Sequence, residues 1–183
     1  TSPFTDGQSL GQEVKMAKKD LHKFTVQEAV NRTFEVFTVT PTLDATETAY
    51  AAADVLFNPT IVTGLFANKD DACMIKSIFV TDVDDQGAAF ELYFTTSSTV
   101  FGTLNATANI ADNTAILGGV AIAPFDIAND FDVFRVCQTT GIDLVIKANG
   151  SDKNVYIGGI SAGSPTYGTT GTPLNIKIGV QYL

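Results

Sequence analysis

The sequence predicts a mainly β protein: an antiparallel β-sandwich or jelly-roll-like domain over residues 33–183, with an N-terminal helical arm over residues 1–32. Three observations carry that expectation. From Thr33 onward the apolar residues fall in short runs rich in Val, Ile, Phe and Tyr, types that suit a pleated, half-buried surface. Gly, Pro, Asn and Asp punctuate those runs and mark turns. Before Thr33 the apolar period is that of a helix. Many short strands at such spacing favour two packed antiparallel sheets or a barrel.

The arm centres on residues 8–24. Leu10, Val14, Ala17, Leu21 and Phe24 recur at offsets of three and four and so share one helical face. Ser9 is placed to cap the helix start, with Gln12 three residues on completing a capping-box pattern. Lys15, Lys18, Lys19 and Lys23 lie largely off the apolar face. A short isolated helix is marginal in water, so this stripe needs a surface to cover it. Leu10, Val14, Lys15, Lys18, Leu21 and Phe24 are therefore the expected partner-binding residues.

Phe34, Val36 and Val39 suggest the first strand, stopped by Pro41, and residues 42–53 are small and polar. Val55–Phe57 and Ile61–Phe66 read as two apolar runs broken by Asn58-Pro59. Ile75–Val80 and Ala88–Phe94 flank Asp82-Val83-Asp84-Asp85-Gln86-Gly87, a pattern that predicts a long antiparallel hairpin with a charged tip. Its alternation places Ile75, Phe79, Phe90 and Leu92, or their neighbours, in a core. Residues 97–109 read as a loop, and Ile110–Leu117 as one helical turn before Gly118-Gly119. Val120–Ala123, Phe131–Gln138, Ile142–Ala148, Val155–Ser161 and Leu174–Tyr182 follow as strands. Thr140-Gly141 and Asn149-Gly150-Ser151 are turn signals, and Gly158 to Pro165 a wide turn joining the last two strands.

A chain of 183 residues with 45% hydrophobic composition can build one substantial core. Its net charge of −9 is uneven: residues 1–32 hold five basic and four acidic groups, and the rest carries a net −10. An acidic body argues against nucleic acid, whose phosphates require clustered Lys and Arg. No apolar run approaches the roughly 20 residues of a membrane span, and the N-terminus lacks the basic-then-apolar layout of a secretory signal.

Cys73 and Cys137 sit among strand-like residues, as two buried thiols or as a cross-strand disulfide. No CxxC spacing exists and His22 is the one histidine, so a Cys/His zinc site is not expected. Asp82, Asp84 and Asp85 invite comparison with calcium loops, but Tyr93 stands where the bidentate Glu of that pattern belongs. A solvated turn is the expectation there, and surface charge for Asp126, Asp130 and Asp132. No GxSxG elbow or phosphate loop is present, and His22 lies far from any nucleophile motif. A carboxylate pair for glycan hydrolysis depends on spatial separation, which sequence does not show. No catalytic residue, metal or cofactor is expected.

Ile75-Lys76-Ser77-Ile78-Phe79-Val80 leading to Asp84-Asp85-Gln86-Gly87, then Phe90-Glu91-Leu92-Tyr93-Phe94, resembles a segment of tailed-bacteriophage virion accessory proteins. The likeness continues through Gly102-Thr103-Leu104-Asn105-Ala106, Ile110-Ala111-Asp112, Leu144-Val145-Ile146-Lys147-Ala148 and Gly163-Ser164-Pro165-Thr166-Tyr167. It covers residues 54–183 and has no match for the arm. The resemblance implies a β-rich head component, of which some are trimeric capsid decoration (cement) proteins, and it transfers no catalytic residue. On that basis the expected function is a capsid decoration protein binding the major capsid protein and itself, as a trimer that fits threefold positions. Its expected place is the virion, on the capsid surface, after assembly in the host cytoplasm, with no nucleic-acid or membrane partner. The alternatives are a tail-fibre or tail-associated adhesion domain and, in a different class, a glycan-active enzyme.

Overall fold

The computed structural model describes residues 34–44, 46–124, 134–168 and 172–183. They hold eight strands: β1 (Phe34–Val39), β2 (Val55–Ile61), β3 (Ala72–Asp82), β4 (Phe90–Thr95), β5 (Ile116–Ile122), β6 (Arg135–Lys147), β7 (Tyr156–Ser161) and β8 (Leu174–Tyr182). Of the helical turn expected over Ile110–Leu117, a short 3-10 turn, Asn113–Ala115, is present; Ile116 and Leu117, with Gly118-Gly119, belong to β5. The strands form two four-stranded sheets, ordered β1-β8-β3-β6 and β2-β7-β4-β5. First pairs with last, second with seventh, third with sixth and fourth with fifth. This is a long antiparallel hairpin rolled into two layers, the eight-stranded jelly roll. The expected β-sandwich is present. The arm, with Leu10, Val14, Lys15, Lys18, Leu21 and Phe24, lies outside the described residues, as do Asp126, Asp130 and Asp132.

The two inner faces meet in one core. Ile75, Ile78 and Val80 from β3 and Ile176, Ile178 and Val180 from β8 face Phe90, Leu92 and Phe94 from β4 and Ile157 from β7, all essentially inaccessible to water. Burying each such side chain contributes on the order of 1.5–3 kcal/mol. Phe57 of β2 stacks edge-on against Phe90, ring centroids 6.2 Å apart.

The expected hairpin between Ile75–Val80 and Ala88–Phe94 does not form. β3 pairs with β6 and β8, whereas β4 pairs with β5 and β7, so residues 83–89 cross from one sheet to the other. Alternating burial is the same whether two strands lie side by side or face each other across a core, and the sequence pattern does not separate the two cases. The core assignment of Ile75, Phe90 and Leu92 holds. Phe79 instead points outward beneath Lys177, whose Nζ lies 5.8 Å from the ring centroid. The cause is a bulge: Ile75 opposes Leu144 and Ser77 opposes Thr140, so residues 141–143 of β6 face Lys76 alone. The phase of β3 slips there, and Ile78 and Val80 take the inward positions.

Three further expectations are corrected. Thr140-Gly141 does not end a strand. Gly141 at φ +67° and Asp143 at φ +51° form the bulge within one continuous β6. Asn58-Pro59 does not break β2. That strand is at a sheet edge, where a missing N–H is tolerated, and the register shifts between Phe57 and Thr60. Beyond Ile61, the run to Phe66 is a turn whose Val62, Leu65 and Phe66 plug the core. Gly158 and Gly159 are not in a turn but inside β7. A Cβ on either would stand 2.3 Å from the ring of Phe101 or Phe57 respectively, so their bare backbone seats those rings.

Candidate functional site

Because every connection but β4–β5 crosses between sheets, the β1–β2, β3–β4 and β7–β8 connections gather at one end of the sandwich. Backbone bonds tie them: Glu47 N donates to Tyr167 O at 3.3 Å, Tyr50 N to Pro165 O at 2.9 Å and Val83 N to Pro173 O at 2.9 Å. At the centre is Asp82, the last residue of β3 and fully buried. Its carboxylate accepts from the N–H of Gly87 at 2.8 Å, the N–H of Asp84 at 3.0 Å and the hydroxyl of Tyr167 at 3.4 Å. Burial pushes this carboxyl above the ordinary Asp range, and the two N–H bonds pull it partly back. Burial likewise raises the Tyr167 phenol, and the Asp82 charge adds to the rise. Tyr50 packs edge-on against Tyr167, centroids 6.1 Å apart, and burial lifts its phenol to about 12.

Gln86 completes the brace. Its Oε1 accepts from Thr166 N at 3.0 Å and its Nε2 donates to Asp84 O at 3.0 Å. Asp84 Oδ2 accepts from Gly168 N at 3.3 Å, and Asp85 pairs with Arg135 at 2.6 Å. The solvated charged tip expected for Asp82, Asp84 and Asp85 is thus corrected at Asp82, which is buried, and in part at half-buried Asp84, the two joining the β3–β4 and β7–β8 crossings, while Asp85 remains exposed. A turn carboxylate beside Gly has this capping capacity, but its burial depends on what the distant Tyr167 brings.

The same holds for the other segments that carried the resemblance. Asn58 accepts from Phe101 N at 2.7 Å and donates to Gly102 O at 3.0 Å, pinning the long β4–β5 connection beside β2. Asn105, at φ +55°, donates its N–H to Val55 O at 3.0 Å. Asp84-Asp85-Gln86-Gly87 and Gly163-Ser164-Pro165-Thr166-Tyr167, about 80 residues apart in the chain, meet through the Gln86–Thr166 bond. These motifs specify architecture.

Outside the brace is an open cleft of about 560 Å³ lined by Glu47, Val83, Asp84, Asp85, Gln86, Thr166 and Gly168. It carries acidic side chains and one half-exposed aliphatic, Val83. Among the described residues no group of three or more His, Cys, Asp or Glu is arranged to hold a metal ion. Cys73 and Cys137 are free and buried. The opposite end has a second open cleft, where Lys69 and Lys153 mingle with Asp70 and Asp152. Hydrogen bonding to Asn154 lowers the Asp152 carboxyl.

Two aliphatic side chains are exposed on the β1-β8-β3-β6 sheet, one on each edge strand. Val36 is 68% exposed on β1 and Val145 52% exposed on β6. The available signal was the alternation of β1, in which Val36 is out of phase with buried Val39.

No protein-family model matches the chain, and no curated protein does. Among solved structures, a chain of the Tomato aspermy virus crystal structure overlaps with a TM-score of 0.37 at 9% identity, covering 82% of this chain and 76% of that one. The Tobacco streak virus coat protein gives 0.26 at 8% identity, covering 82% and 86%. A marine algae virus of the order Picornavirales gives 0.24 at 14% identity, covering 81% and 67%. Overlaps this loose do not establish a shared fold.

Proposed function

We propose that this protein is a virion structural protein, a capsid decoration protein that binds and stabilises a phage head shell. The observation that carries the reading is the jelly-roll strand order, β1-β8-β3-β6 over β2-β7-β4-β5, an architecture found in viral capsid domains as well as lectins and cupins. The resemblance of residues 54–183 to tailed-phage virion proteins selects the first of those. Support also comes from the acidic brace and the Asn58 clamp, whose bonds tie distant segments of the body together, a stiffness that a cement protein requires. Stiffness lets several copies act together, since avidity multiplies weak contacts only when geometry permits simultaneous engagement. Homotrimeric symmetry would match threefold positions on a shell, and the shell partner would be the major capsid protein.

In this reading the arm, through Leu10, Val14, Lys15, Lys18, Leu21 and Phe24, anchors the protein, and no catalysis is involved. Deleting residues 1–32 should leave the β body folded and weaken attachment to purified heads. Equal decoration by the truncated and full chains would remove the arm as anchor. Electron microscopy of intact particles tests the whole proposal: density for this chain on the tail would favour the adhesion alternative. Turnover of a host glycan, lost on one Asp or Glu substitution, would establish an enzyme instead.

A further inference from the structure

We infer that the outer face of the β1-β8-β3-β6 sheet is a self-contact surface, which docks on the acidic cleft of a second copy of this chain. The two outer faces of the sandwich are unlike. On the β2-β7-β4-β5 side the β4–β5 connection folds back, and Phe101 lies buried over Gly158 and edge-on to Tyr93. On the other side Val36 and Val145 are exposed on the two edge strands, and Phe79 lies between them, partly covered by Lys177. Ile61 and Val100 are exposed aliphatics elsewhere on the body, so it is charge that sets this face apart.

Charge indicates the occupant. The described residues hold thirteen Asp and Glu against six Lys and Arg. Lys76, Lys147 and Lys177, half of those cations, lie on this one sheet face beside Asp143, which is paired with Lys76, while the other acidic residues of these strands, Glu35 and Asp82, are half-buried and buried. The face is therefore basic on an otherwise acidic body. The cleft at the sheet-crossing end offers the complement: Glu47 and Asp84 around half-exposed Val83, with Asp85 shared with Arg135. Complementary potentials steer association and fix its register. The two surfaces are different parts of one chain, so the contact is heterologous and closes into a ring when the rotation permits. The inference does not depend on the virion reading.

Sedimentation velocity of the full chain over a concentration series tests it. The protein should sediment as a closed oligomer, and Val36→Asp, Lys177→Glu and Glu47→Lys should each weaken association by about tenfold or more. The double variant Lys177→Glu with Glu47→Lys restores opposite charges and should recover much of the loss. Circular dichroism melts matching the parent confirm that each variant is folded. A monomer at about 100 µM, or an oligomer indifferent to the face variants, would overturn the inference. So would weakening by Val36→Asp and Lys177→Glu without any by Glu47→Lys. A monomer whose attachment to particles is lost in the face variants would give the face to a foreign acidic protein, leaving attachment to the shell in place while ending both this inference and the homotrimer.

Discussion

Asp82 is a carboxylate with no exposure to solvent, and its carboxyl is held above the ordinary range chiefly by that burial. The folded protein therefore holds this proton more tightly than the unfolded chain. Stability linked to the group is complete below about pH 4, the unfolded value, and is lost as pH rises through the folded value. Asp82→Asn keeps the shape and abolishes the titration. The stability of the parent relative to this variant should accordingly fall as pH is raised from about 4 towards 7. Urea midpoints across that range measure it, and a constant difference would contradict the assignment. Tyr167→Phe removes one donor to the same carboxylate and should cost about 1 kcal/mol. The glycines of β7 make a sterner demand. A methyl at Gly159 meets the fully buried ring of Phe57, which has nowhere to move. Gly159→Ala should destabilise by roughly 1–3 kcal/mol in chemical denaturation, and a neutral result would mean that the ring is free to shift.

Among the elements, the bulge pairing Lys76 of β3 with residues 141–143 of β6 decides which side chains enter the core. It moves Phe79 to the surface and Ile78 inward, and it lets β6 run through Thr140-Gly141 without a turn. Gly141 has φ +67° and open space where a Cβ would stand. Gly141→Ala should therefore cost only the left-handed backbone penalty, about 1–2 kcal/mol, as read by thermal or urea unfolding. Asp143→Asn removes the charge of an ion pair with Lys76 whose groups are both well exposed and keeps a residue type that tolerates φ +51°. That change should stay within about 1 kcal/mol. A larger loss for Asp143→Asn than for Gly141→Ala would place the bulge's energetics in the ion pair rather than in the backbone.

Across the whole molecule, the rolled topology separates the two thiols. Cys73 pairs in register with Ile146 and Cys137 with Val80, so they sit on neighbouring strands seven positions apart along β3. At about 3.3 Å per residue that spacing far exceeds the roughly 7 Å limit for a disulfide, which resolves the alternative left open by the sequence. Burial raises both thiols, Cys73 to about 12. A reductant should leave the unfolding midpoint unchanged, and a thiol reagent should label both residues only as fast as the fold opens. Rapid labelling of either under native conditions would show that its strand opens locally.

Local composition determined what local physics controls. β-branched and aromatic runs set the strand positions of β7 and β8 closely, Asn149-Gly150-Ser151 supplied a real turn with Gly150 at φ +79°, and alternation marked Ile75, Phe90 and Leu92 as core. Partnering was not legible, because a strand's inward side chains look the same whether its neighbour lies beside it or across the core. The Asp84-Asp85-Gln86-Gly87 segment could therefore be recognised as a turn but not as a crossing between sheets. Asp82 became a buried brace only when Tyr167 was brought over it. The basic sheet face was likewise assembled from β1, β3, β6 and β8, strands drawn from both ends of the described chain. Rolling the hairpin into two layers made these juxtapositions, and long-range pairing of that kind leaves no trace in any one stretch of sequence.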